Sequence, residues 1–307
     1  MSFSTDIKDE LCRHQSDPCC KRAELAGLLL VLGSIQVSEG QANIILQTEN
    51  AMVARHIFQL VKNQYGISST IAVKQKQQLK KRQTYRITIP QAMSLLTDLS
   101  IFENGYIRHH ISSTLIKKTC CKKAFVRAAF WGCGSMSDPE KGYHLEFVIH
   151  NKEYTDSLLR VLRHFNIKPN TVERKGAYVV YLKESDRIAD VLTMMGAYTC
   201  VLALENIRIV KEMRNQVNRG VNCESHNLDK VVEAARKQYY AIESLRKAGV
   251  LEQLPEQLQE VAALRIENPE CALAELGDML TPPLGKSGMN HRMRRLMEAA
   301  KQVESVY

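Results

Sequence analysis

The sequence predicts an α+β protein: a duplicated αββαββα unit forming a saddle, followed by a small all-helical domain. Two observations predict the duplication. The stretch "CCKRAELAGLLLVLGSI" from Cys19 aligns without a gap on "CCKKAFVRAAFWGCGSM" from Cys120, 101 positions later. The two share Cys-Cys-Lys, an Ala at the fifth place and Gly-Ser near the end, and Arg22 matches Lys123. The same offset then places "NIILQTEN" (Asn43 to Asn50) opposite "HLEFVIHN" (His144 to Asn151). A third observation, helical periodicity without strand patterns after residue 228, predicts the all-α end.

The elements follow in order. The first helix of each copy is apolar on nearly all sides and is expected to be buried, with Gly27, Ala128 and Ala129 small enough for close helix contact. Two strands come next, the second closing on an Asn suited to cap a helix. Val53, Ile57, Leu60 and Val61 form the apolar stripe of the next helix in the first copy, and Leu158, Leu159, Val161 and Leu162 do so in the second. Two more strands follow, "TIAVKQ" with "TYRITIP" and "NTVERK" with "AYVVYL", the first pair joined by the longer loop "KQKQQLKKRQ". A last helix ends each copy, over Ala92 to Leu99 and from Asp186 onward. This places the duplicated domain at 1–219, with repeats at about 19–100 and 120–200.

Composition is that of a globular protein, 45% hydrophobic and 24% charged. The formal charge of +9 favours polyanionic partners. Asn50 to Thr97 holds no acid but includes Lys74, Lys76, Lys80, Lys81, Arg82 and Arg86, candidate contacts to a DNA backbone on a curved, basic sheet platform. An odd count of nine cysteines and an opening without an apolar signal segment predict a reducing cytosol, no membrane association and no disulfides. His14, Cys12, Cys19 and Cys20 lack metal-ligand spacing, and adjacent cysteines are expected to point apart, so packing rather than metal binding is expected, with no cofactor.

"LAGLLLVLGS" and "FVRAAFWGCGS" resemble the namesake helices of LAGLIDADG homing endonucleases. That resemblance implies the αββαββα fold around a DNA-binding saddle. In that motif acidic residues hold the divalent ions that cut DNA, because hard cations need carboxylate oxygens. Here the matching positions are Leu30, Leu32, Trp131 and Cys133. The resemblance therefore implies the scaffold and argues against cleavage. A rival endonuclease would have to use other acids, such as Glu24 or Asp138.

The last third begins after "GVNCESHN", a polar stretch at 220–227 read as the linker, with a domain at 228–307. Leu228 to Lys247 reads as a helix stopped by Gly249, and Pro255 starts the next. "ENPECALAELGDML" and "KSGMNHRMRRLMEAAKQ", joined by "TPPLG", form a helix-turn-helix at about 270–302. Ala272, Leu273, Leu276, Met279 and Leu280 supply one apolar face, and Met289, Met293, Leu296, Met297 and Ala300 the other. The remaining face of the final helix shows Ser287, Asn290, His291 and Arg294, flanked by Lys286, Arg292 and Arg295. Asn pairs bidentately with adenine and Arg with guanine in the major groove. "GKS" at Gly285 is no phosphate loop, since Leu280 stands where a Gly is needed.

This order of parts, with "ENIRIVKEMRNQVNRGVNCESHNLDKVVEAARKQ" and "AELGDMLTPPLGKSGMNHRMRRL", resembles the WhiA family of Gram-positive bacteria. The resemblance implies a non-enzymatic, nucleoid-associated regulator of transcription, linked to sporulation, cell division and chromosome segregation. Its expected partner is double-stranded DNA, with sigma factor, RNA polymerase or other regulators as protein partners. The alternative is an interaction module of the division machinery, and the oligomeric state is left open, a monomer being compatible.

Overall fold

A computed structural model describes residues 2–38, 41–75 and 83–304. The chain divides into two units, Met1–Val210 and Lys211–Tyr307.

In the first unit each repeat folds in the expected order. The first contains α2 (Pro18–Leu32), β1 (Gly33–Ser38), β2 (Gln41–Thr48), α3 (Ala51–Tyr65), β3 (Thr70–Gln75), β4 (Gln83–Ile89) and α4 (Met93–Asp98). The second contains α5 (Thr119–Cys133), β7 (Gly134–Met136), β8 (Leu145–Ile149), α6 (Lys152–His164), β9 (Asn170–Arg174), β10 (Ala177–Leu182) and α7 (Ser185–Met195). The two antiparallel sheets have the same strand order, β1-β2-β4-β3 and β7-β8-β10-β9. Outside the repeat lie α1 (Phe3–Cys12) before it and a short hairpin, β5 (Phe102–Glu103) and β6 (Tyr106–Ile107), between the copies.

Matching residues build matching local structure. Asn50 Oδ1 accepts from the Val53 amide at 2.9 Å, and Asn151 Oδ1 accepts from the Tyr154 amide at 3.0 Å. Each satisfies one of the amides that a helix start leaves without a partner.

Helices α2 and α5 cross at the centre of the core. A Cβ added at Gly27 would stand 2.8 Å from the Ala128 Cβ, and one at Gly132 would stand 2.3 Å from Val31 Cγ1, so small residues set the helix separation. Leu25, Leu28, Phe125 and Phe130 are fully buried around this crossing. Burial of each such side chain contributes about 1.5 to 3 kcal/mol.

Two polar residues sit in the same core. Glu24 is 0% exposed and Arg127 4%. Arg127 donates through Nε to Glu24 Oε1 at 3.0 Å, through Nη1 to the Met195 carbonyl at 2.9 Å, and through Nη2 to Ser16 Oγ at 3.2 Å. Ser16 Oγ in turn donates to Glu24 Oε1 at 2.6 Å. A buried charge is tolerated when it is paired and hydrogen-bonded, and this pair ties one repeat to the other.

The expectation of a non-helical stretch at 220–227 is corrected. A single helix, α8 (Tyr198–Lys247), runs through it for 50 residues. Crossing one glycine costs about 1 kcal/mol, whereas a break would need two capped ends and a second nucleation. No proline interrupts the segment.

In the second unit the end of α8, α9 (Glu256–Glu267), α10 (Leu273–Asp278) and α11 (Lys286–Glu304) enclose a core of Ile242, Leu245, Leu258, Val261, Leu276 and Met293, among others. Arg265 is buried, and its Nη1 donates to the Asn268, Pro269 and Cys271 carbonyls, closing the loop between α9 and α10.

Candidate nucleic-acid interface

The α10–turn–α11 geometry follows from one close approach. A Cβ at Gly277 would lie 1.9 Å from the Leu284 carbonyl oxygen, so only glycine admits the turn backbone there. The Leu284 amide closes the turn by donating to the Gly277 carbonyl at 2.9 Å. Met289, Met293, Leu296 and Ala300 then bury one stripe of α11 at helical spacing. Met279, the C-cap of α10, departs from its expected place in the core and is 48% exposed, while the next residue, Leu280, is buried. Met297 is half-buried.

The opposite stripe of α11 is exposed. Lys286, Ser287, Asn290, His291, Arg294 and Arg295 all face solvent, and Arg292 is half-buried at the edge. Ser287, Asn290, His291, Arg294 and Arg295 stand at i, i+3, i+4, i+7 and i+8, one face of a helix. Among the described residues none of these side chains is held by an intramolecular hydrogen bond or ion pair. Donors and acceptors that suit base edges and phosphates thus project from a helix fixed by its other side.

The first unit is less uniform than a basic platform. Pairing of Ala72 with Arg86 and of Lys74 with Thr84 puts Lys74 and Arg86 on the face of β3 and β4 that the helices leave open. Lys76, Lys80, Lys81 and Arg82 lie outside the described residues. The corresponding face of the second sheet carries Asn170, Val172 and Arg174 of β9, Val179 and Tyr181 of β10, and Glu146 and Val148 of β8. One cation and one acid there leave it nearly neutral, so the expected curved, basic sheet platform does not extend to this half. The charge asymmetry is already visible in the long Lys-rich loop, which the second copy lacks.

At the C-terminal ends of α2 and α5, Leu32, Trp131 and Gly132 line a cavity of about 1060 Å³ together with Lys74, Arg86 and Thr84. Leu30 and Leu32 are half-buried hydrocarbons, and Trp131 is 1% exposed with Nε1 donating to the Lys8 carbonyl at 3.3 Å. Burial pushes the Cys133 thiol up to about 12, and its Sγ donates to the Ala129 carbonyl at 3.2 Å. None of the four presents an oxygen to a hard cation. Glu24 lies in the core with Arg127. Asp138 is exposed and accepts from the Glu140 amide at 3.0 Å in a turn. Two carboxylates that the motif does not point to do line the cavity, Asp9 on α1 and Glu49 after β2. Asp9 Oδ1 accepts from the Asn50 side chain at 2.9 Å.

The expectation that adjacent cysteines point apart is corrected. Cys19, Cys20, Cys120 and Cys121 converge, with all four Sγ atoms within 4.8 Å of one another. Each pair lies in the first turn of its helix, and the two helix starts come together only when the repeats pack.

Three family descriptions match the chain. The WhiA N-terminal LAGLIDADG-like domain matches residues 18–102, the WhiA LAGLIDADG-like domain 122–214, and the WhiA C-terminal HTH domain 217–300. A relative from Alkaliphilus metalliredigens is 44% identical over 98% of both chains. The chain belongs to the WhiA family. A second WhiA relative, from Thermoanaerobacter pseudethanolicus, is 44% identical over 99% of this chain and 98% of its own. Both WhiA relatives are named probable cell division proteins. The crystal structure of full-length DUF199/WhiA from Thermatoga maritima superposes with a TM-score of 0.63 at 25% identity, covering 98% of this chain and 99% of that one. This WhiA chain thus has a LAGLIDADG-like N-terminal domain and a helical C-terminal helix-turn-helix domain. Among its described residues no helix is long and apolar enough to cross a membrane.

Proposed function

We propose that this WhiA protein is a non-enzymatic, sequence-specific regulator of transcription that reads double-stranded DNA through α11. The observation that carries the reading is the exposed stripe Ser287, Asn290, His291, Arg294 and Arg295, backed by a buried methionine-rich stripe. Lys286 and Arg292 flank it as phosphate contacts, and Lys74 and Arg86 add backbone contacts from the first sheet. The names of its relatives support a role in cell division, and the roles in sporulation and chromosome segregation rest on family resemblance. The protein acts in the cytoplasm on the nucleoid.

The test uses a duplex selected from a random library by the full-length protein. Asn290→Ala with Arg294→Ala removes two base contacts, each contributing about 1 to 3 kcal/mol of discrimination. Preference for the selected over a scrambled duplex falls by roughly 2 to 6 kcal/mol, upward of about 30-fold, while salt-sensitive nonspecific binding persists. An unchanged preference in a gel-shift titration would overturn the assignment to α11. Plasmid nicking by pure protein with magnesium or manganese would overturn the non-enzymatic reading and point to Asp9 and Glu49.

A second reading is favoured by the second sheet, whose open face exposes Val148 and Val172 beside Val179 and Tyr181. That surface suits a protein partner, such as RNA polymerase, a sigma factor or a division protein, better than a phosphate backbone.

A further inference from the structure

Four thiols meet where the two repeats join. Cys19 and Cys20 occupy the first turn of α2, and Cys120 and Cys121 the first turn of α5. Their Sγ atoms all lie within 4.8 Å of one another, and those of Cys120 and Cys121 are 3.9 Å apart. Four sulfurs bound to one zinc at about 2.3 Å form a tetrahedron with edges of about 3.8 Å. The observed spacing therefore closes onto one ion by small side-chain rotations.

The surroundings suit a thiolate complex better than apolar packing. Cys20 and Cys121 are buried, whereas Cys19 and Cys120 are partly exposed, so the set is closed on the core side and open to an entering ion. A zinc held by four thiolates carries a net double negative charge. Both helix starts face it with their positive ends; the N-cap of α2 is Asp17, whose carboxylate makes no capping bond, and that of α5 is Lys118. Lys123 lines the same cavity as Cys20 and Cys120. The site is separate from the cavity beside Leu32 and Trp131, which lies at the other end of the same 15-residue helices, about 20 Å away along their axes.

We propose that Cys19, Cys20, Cys120 and Cys121 bind one structural zinc ion that pins the two repeats together. Binding releases the proton of each thiol as its sulfur becomes a thiolate ligand. All-sulfur donors select zinc over magnesium or manganese. The ion does no chemistry on DNA; it contributes to the folding of the first unit.

Full-length protein purified from zinc-supplemented cells is expected to hold one zinc per chain by elemental analysis. Cys19→Ser and Cys120→Ser, at the less buried positions, lose that zinc while circular dichroism and Trp131 fluorescence stay those of a folded protein. Wild-type protein stripped by a chelator and loaded with cobalt shows sulfur-to-cobalt charge transfer and the intense visible bands of a tetrahedral site. Its Trp131-reported unfolding temperature drops on stripping and recovers with zinc. Should either serine variant not fold, the cobalt spectrum of the wild-type chain decides. Folded wild-type protein without zinc or cobalt bands under reducing conditions would overturn the site, as would iron in its place, full zinc retention by both variants, or oxidised cysteine pairs in freshly isolated protein.

Discussion

Removing the Glu24 carboxylate tests how the two repeats are held together. Glu24→Ala leaves Arg127 Nε and Ser16 Oγ without their acceptor and strands a guanidinium that is 4% exposed. Breaking a buried pair from one side costs about 3 to 5 kcal/mol. For a unit of this size each kcal/mol lowers Tm by about 2 to 4 °C, so the expected drop is roughly 6 to 20 °C. Trp131 is the only tryptophan in the chain and is 1% exposed in this unit, so its fluorescence reports the unit alone within the full-length protein. Glu24→Leu with Arg127→Met removes both charges and should recover most of the loss, since apolar replacement of a whole pair is often neutral or better. The pH dependence has a definite sign. Burial opposes ionisation of Glu24, but the facing His56, the Arg127 guanidinium and the Ser16 hydroxyl outweigh it and hold its pKa below the ordinary 4.5. His56 Nε2 stands 3.7 Å from Glu24 Oε2, at ion-pair rather than hydrogen-bond distance. A depressed carboxylate pKa stabilises the fold above pH 4.5, and the contribution disappears as pH falls through the folded value. The double variant should lack that acid-sensitive component. A loss below about 1 kcal/mol for Glu24→Ala at neutral pH would refute the reasoning.

Gly277→Ala forces a methyl into the Leu284 carbonyl and should lower the stability of the second unit by several kcal/mol, abolishing DNA binding while the Trp131 transition stays put. Circular dichroism melts that remain unchanged would count against the turn geometry. Asn50→Ala and Asn151→Ala should each cost about 1 kcal/mol in urea unfolding, and their effects should add because the caps share no partner. Reversing Lys74 and Arg86 to Glu should flatten the slope of log affinity against log salt by about 2 without changing sequence preference. An unaltered slope would move the first sheet off the DNA.

By itself, the sequence determined what is local or periodic. The repeat shows as a gapless 101-residue offset, while the asparagine caps and the two faces of α11 depend on neighbours within a turn or two, and so the order of elements and the exposed polar stripe of α11 were legible. Only the tertiary structure decided which distant groups meet. Cys19 and Cys20 carry no metal spacing within their own repeat and gain partners only because Gly27 lets α5 approach α2. Glu24 and Arg127, 103 residues apart, pair for the same reason. The continuity of α8 through Gly220 was likewise a contest between local turn signals and the cost of ending a helix, and composition alone does not weigh that cost. Helical periodicity states which face is buried, but the crossing of two helices sets what that face touches.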